Sequence, residues 1–109
     1  MTWKVKFFRT AKGNYPVKEF IEKQDKKAYA RIIRTIELLE NYGPFMRVPH
    51  SKKVRNKLYE LRIIGKKSIR IFYTRFNNQY YLVHAFKKKS QKTPKQELGT
   101  ALDRIKELA

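Results

Sequence analysis

Residues 58–86 hold three runs in which apolar and polar side chains alternate, separated by two turn signals, and this pattern restricts the fold more than any other feature of the chain. Alternation with a period of two marks strands, and a one-residue slip in pairing would exchange the two faces of the sheet. The runs span about 58–64, 68–76 and 79–86. Joining the first two through Gly65-Lys66-Lys67 sets Ile63 opposite Ile69, Leu61 opposite Ile71, Tyr59 opposite Tyr73 and Arg62 opposite Arg70. Asn77-Asn78 suits a two-residue hairpin turn that needs positive φ. It sets Tyr73 against Leu82 and Ile69 against Phe86. One face then carries Tyr59, Leu61, Ile63, Ile69, Ile71, Tyr73, Leu82 and Phe86, an apolar surface that must be covered. The other carries Glu60, Arg62, Arg70, Phe72, Thr74, Tyr81, Val83 and Lys87.

The rest of the chain supplies the cover. Trp3, Val5 and Phe7 alternate with lysines and a threonine and predict a short strand. Val17, Phe20 and Ile21 predict a short helix after Pro16. Asp25 is suited to cap a longer helix in which Ala28, Ile32, Ile36 and Leu39 form an apolar stripe that ends at Gly43-Pro44. Residues 44–57 show no period, and Pro49, His50, Ser51, Lys52 and Lys53 read as a basic surface loop. Leu98, Ala101, Leu102, Ile105 and Leu108 predict a closing helix opened by Thr93 or Pro94. The expectation is an α+β domain over residues 1–109: strand, helical hairpin, three-stranded antiparallel meander and C-terminal helix, with the helices on one face of the sheet. With 109 residues and 41% apolar side chains the chain can fill a core.

Charge narrows the function. The net charge is +18, and residues 41–96 carry +14 of it with Glu60 as their sole acid. Such a surface fits a polyanionic partner, nucleic acid or an acidic protein. Cysteine is absent, which excludes a disulfide scaffold and thiolate metal sites. No apolar run approaches a membrane span and no signal-peptide core stands at the N-terminus, so a cytoplasmic protein without a membrane partner is expected.

On the outward face Arg62 and Arg70 oppose each other, a repulsive pair unless an anion lies between them. With Lys87 they would surround a slot floored by Phe72, Val83 and Ala85 and hold a phosphate there. The alternative is that Glu60 simply pairs with Arg62 on a solvated sheet face. His84 falls on the core side in this register, and His50 lies in the basic loop. No His, Asp or Glu cluster has metal-ligand spacing, so neither a metal nor another cofactor is expected. RNA cleavage without a metal needs a base, an acid and cations for the phosphate. Lys87, Lys88, Tyr73 and His50 are the candidates for the proton roles. Lys52, Lys53, Lys89, Lys92 and Lys95 would contact RNA phosphates without reading sequence.

Leu58-Tyr59-Glu60-Leu61-Arg62, Arg70-Ile71-Phe72-Tyr73, His84-Ala85-Phe86-Lys87-Lys88 and Gln91-Lys92-Thr93-Pro94 together resemble the HigB-like, phage-derived branch of the RelE/ParE toxin superfamily. The resemblance spans nearly the whole chain. It implies a RelE-like fold and the toxin of a type II toxin–antitoxin pair, an mRNA endoribonuclease that acts on the ribosome without a metal. It also implies an antitoxin partner, often a helix-turn-helix protein encoded beside it. Arg70 matches the arginine that cleaving relatives set against the scissile phosphate, Arg62 the arginine ending the Glu-Leu-Arg motif, and Lys87 and Lys88 the basic pair after the last strand. Some cleaving relatives carry lysines where this chain has Leu58 and Glu60. Others use a tyrosine or histidine where it has Lys92 and Thr93. Two other functions fit the same features: a gyrase-inhibiting toxin of the ParE type, and a non-catalytic RNA-binding module.

Overall fold

A computed structural model describes residues 2–65 and 68–108. The elements run β1 (Val5–Phe7), α1 (Pro16–Glu22), α2 (Lys26–Tyr42), a 3-10 turn (Gly43–Phe45), β2 (Ser51–Arg55), β3 (Leu58–Ile63), β4 (Ile69–Phe76), β5 (Gln79–Lys87) and α3 (Lys95–Leu108). The five strands form one sheet of order β1-β5-β4-β3-β2. β1 lies parallel to β5, and the remaining neighbours are antiparallel. The fold is thus a mixed α+β arrangement of five strands and three helices.

Local chemistry accounts for the element ends. Asp25 caps α2, its Oδ1 accepting the Ala28 N–H at 2.8 Å. Gly43 ends α2 at φ +46°, and a Cβ built there would lie 2.5 Å from the Trp3 indole. Both the backbone turn and the indole require glycine at that position. Asn77 and Asn78 have φ of 52° and 60° and close the β4–β5 hairpin. Of the expected turn Gly65-Lys66-Lys67, the two lysines lie outside the described residues. α3 opens at Lys95, where the Pro94 carbonyl accepts the Glu97 and Leu98 N–H groups.

The β3–β4 register is the expected one, with Arg62 opposite Arg70 and Leu61 opposite Ile71. The β4–β5 register departs from it. Tyr73 faces Leu82, but a bulge then places Phe72 opposite His84, and Ile69 faces Lys87 rather than Phe86. An extra residue in one strand reverses the alternation beyond it. Ala85 therefore joins the core beneath α1 and α2, and Phe86 leaves that core for the opposite face.

The larger correction concerns the helices, which do not share one face. Val17 and Ile21 of α1 and Ala28, Ile32 and Leu39 of α2 bury Leu61, Ile63, Ile69, Ile71, Tyr73 and Leu82. α3 covers the reverse face, where Ala101 and its neighbours Leu98, Leu102 and Ile105 pack on Leu58, Phe72, Val83 and Phe86. The expected open slot floored by Phe72, Val83 and Ala85 is accordingly absent. Phe72 and Val83 are fully buried. An outward row of Phe, Val and Phe left in water would forgo about 1.5–3 kcal/mol per side chain, and the apolar stripe of α3 removes that cost. The basic segment 51–55 is also not a loop. It is an edge strand in which Ser51 pairs with Leu61, Lys52 with Glu60 and Lys53 with Tyr59.

Candidate functional site

α3 lies over β5 and β4. Arg62, near the end of β3, and Arg70, at the start of β4, fall outside the apolar cluster it covers. Both arginines are partly exposed and share the sheet face of Phe72 and Glu60. The anion their opposition requires is present within the chain. Glu60 is buried, and its Oε1 accepts from Arg62 Nε at 3.1 Å and stands 3.6 Å from Arg70 Nε. Arg70 Nη1 donates to the Ile69 carbonyl at 3.1 Å. Arg70 Nε is buried and has no hydrogen-bond partner among the described residues. One carboxylate therefore serves two guanidiniums, and a net positive charge remains at the surface.

Two shallow concavities meet at Ser68 and Arg70. One, about 460 Å³, is lined by Ser68, Arg70, Lys88, Lys89, Ser90 and Gln91. The other, about 260 Å³, is lined by Pro49, Arg62, Ile63, Ile64, Gly65, Ser68 and Arg70. Among the described residues, no carboxylate lines either one. The Lys88 N–H donates to the Ser68 carbonyl at 2.6 Å, which fastens the segment after β5 beside Arg70. Guanidiniums held in one orientation beside lysines are groups that can accept a phosphate oxyanion.

Lys87 does not belong to this group. It pairs with Ile69, whose side chain faces α1 and α2, so the bulge in β5 turns Lys87 to the opposite face from Arg70. Lys88 stands beside Arg70 in its place. Tyr73 is also on the far face. Its hydroxyl shares a 2.6 Å hydrogen bond with Ser51 Oγ. Burial pushes that hydroxyl up to about 12, outweighing the lowering effect of the Ser51 bond. Tyr73 is thus both remote from the arginines and held in its protonated form. His50 is adjacent through the backbone, its carbonyl accepting the Arg62 N–H at 2.8 Å, and its Nδ1 is buried without a partner among the described residues. Lys89 lines the larger concavity. Lys52 is exposed in β2 in register with Glu60, Lys53 is exposed in register with Tyr59, and Lys92 and Lys95 are exposed before and at the start of α3.

His84 is not in the core beneath α1 and α2: beyond the bulge it pairs with Phe72, and it borders α1 only at a surface concavity shared with Phe20 and Arg104. It stacks on Phe86, and Arg104 Nη1 lies 3.2 Å from its Nδ1 while also donating to the Val83 carbonyl at 2.8 Å. An arginine only donates, so Nδ1 is the acceptor and Nε2 carries the proton toward Glu97 Oε1 at 2.8 Å. With both nitrogens engaged, His84 fastens α3 to β5. Burial lowers the Arg104 guanidinium from its usual range.

Among the described residues, no three His, Cys, Asp or Glu side chains gather as metal ligands, and no helix is long and apolar enough to cross a membrane. Ser68 and the covering role of α3 were not anticipated from the sequence. Phe72 and Val83 on the supposed outward face, together with the apolar stripe 98–108, were the signal for the second. A family model described as phage-derived, Gp49-like protein matches residues 19–106, which take in most of α1, both arginines, Lys88 and most of α3. No curated protein matches the chain.

Proposed function

Because the chain belongs to the Gp49-like family of phage-derived proteins, we propose that it is the toxin of a type II toxin–antitoxin pair, with a RelE-like fold and HigB-like activity: cleavage of mRNA on the ribosome without a metal. The observation that carries the reading is the opposed pair Arg62–Arg70, held by one buried carboxylate, with Arg70 and Ser68 shared by two open concavities, one lined by Arg62 and the other by Lys88. The order of strand, two helices, antiparallel meander and closing helix supports the same reading.

In the proposed reaction an RNA 2′-hydroxyl attacks the adjacent phosphorus and the 5′-oxygen leaves, giving a 2′,3′-cyclic phosphate and a 5′-hydroxyl end. Arg62 and Arg70 take the charge that grows on the non-bridging oxygens. Such preorganised donors commonly account for about 10²–10³ in rate each. Lys88 protonates the leaving oxygen, and His50 beside Arg62 accepts the 2′ proton. Lys52, Lys89, Lys92 and Lys95 hold flanking phosphates. An antitoxin, a helix-turn-helix protein in related systems, would cover the basic concavity, and the site of action is the cytoplasm.

Expression of the chain alone in a bacterial host tests this. Incorporation of labelled methionine is expected to collapse within minutes of induction, and Arg70→Ala is expected to abolish the effect with an unchanged circular dichroism spectrum. Arrest by a folded Arg70→Ala chain would rule this site out.

A further inference from the structure

A second concavity, about 390 Å³, lies on the sheet face opposite Arg62 and Arg70, between the segment 43–48 and strands β2 to β5. Three tyrosines build its wall. Tyr73 is fixed by Ser51, Tyr59 stacks on it with ring centroids 5.4 Å apart at 24°, and Tyr80 meets it edge-on at 5.7 Å. Tyr59 is only half-buried. Among the described residues, the cations Arg47, Lys52, Lys53 and Arg75 line the same hollow, and no carboxylate does. Arg47 is anchored by Nη1 to the carbonyls of Pro44 and Met46, and Arg75 lies 5.9 Å from the centre of the Tyr80 ring.

Tyr73 and Tyr80 belong to the core and Tyr59 packs against it, but Arg47, Lys53 and Arg75 take part neither in that packing nor in the arginine site. A tyrosine stack accepts a flat aromatic ring, and cations without acids accept an anion, so the ligand must carry both. We propose that this hollow is a second nucleotide-binding site, which stacks one unpaired RNA base on Tyr59 and holds its phosphate with Arg47, Lys53 and Arg75. The proposal rests on the RNA-cleaving reading above. β2 is the edge strand, with Lys53 in register with Tyr59 and Lys52 in register with Glu60, and Lys52 also reaches the rim of the tyrosine hollow. A single strand that crosses this edge meets the phosphate site on one side and the base site on the other. Stacking on aromatic rings with backbone contact to basic side chains is how unpaired RNA is commonly held.

Titration of the full chain with adenosine 5′-monophosphate tests the site, followed by the tyrosine ring resonances and by the emission of Trp3, which packs on Gly43 at the rim. Saturable shifts of Tyr59 and Tyr80 are expected, with adenosine alone and inorganic phosphate alone each binding more weakly. Arg75 is exposed, so Arg75→Glu keeps the fold and is expected to weaken binding about tenfold. Tyr59→Leu is expected to weaken it similarly. Absence of saturable shifts below about 10 mM overturns the proposal. So does a response of Tyr59 to an acidic tyrosine-containing peptide without one to the nucleotide, which would make the hollow a protein-docking surface. Mononucleotide binding is read independently of translation arrest, so a toxic Arg70→Ala chain would overturn the catalytic reading alone, and a silent titration would overturn this site alone.

Discussion

Glu60 is the residue on which the arginine site turns. It is the sole acid between residues 41 and 96, and it is buried between two guanidiniums. Its removal leaves two like charges opposed across neighbouring strands with no counter-ion. Glu60→Gln is expected to cost about 1–3 kcal/mol in urea unfolding, less than a fully buried pair because both arginines keep contact with water. It is also expected to tighten phosphate binding, since the pair then has only an external anion to turn to. Tyr73 gives a second measurable consequence. Its hydroxyl ionises near 12 in the fold and near 10 in the unfolded chain. The unfolded state therefore loses that proton first as pH rises, and stability present below pH 10 declines up to about pH 12. Unfolding between pH 9 and 12 is expected to show this fall, and Tyr73→Phe is expected to flatten it. Tyr80, raised in the same direction by burial, sustains a smaller slope in the variant.

Among the elements, α3 decides where an open surface exists. It seals Phe72, Val83 and Phe86 and stops short of Arg62 and Arg70, which makes the site a rim rather than a sheet face. Ala101 is fully buried where the helix meets the strands. Ala101→Leu is expected to cost about 1–3 kcal/mol by overpacking and to speed amide exchange in α3 ahead of β3 and β4. The β3–β4 ladder was legible in the sequence because Leu61, Ile63, Ile69 and Ile71 match in one register only. The β5 bulge was not, since nothing in Val83-His84-Ala85 marks an extra residue and the shift is set by packing on both faces. It moved Lys87 away from Arg70 and brought Lys88 near. β2 was hidden because Ser51-Lys52-Lys53-Val54-Arg55 has no alternating apolar row. As an edge strand it needs only one neighbour, and lysines there hinder pairing with other chains.

For the whole molecule, the charge of +18 includes the basic side chains that line two hollows, Arg47, Lys52, Lys53 and Arg75 around one and Arg70, Lys88 and Lys89 around the other. The arginine pair was legible in the sequence as a pair. The tyrosine hollow was not, because it depends on the segment 43–48 folding against strands distant in sequence. Affinity for single-stranded RNA is expected to fall steeply with salt, by about 0.7 log units per log unit of salt for each phosphate contact. An antitoxin that silences the protein is expected to be acidic where it meets this surface.

The most direct measurement maps RNA ends genome-wide after induction of the wild-type chain and of Arg70→Ala in the same host. Cleavage at a single phosphate on the ribosome predicts new 5′-hydroxyl ends within translated messages for the wild type and none for the variant, at equal amounts of folded protein. Translation arrest with intact messages, or with DNA damage in their place, would contradict it.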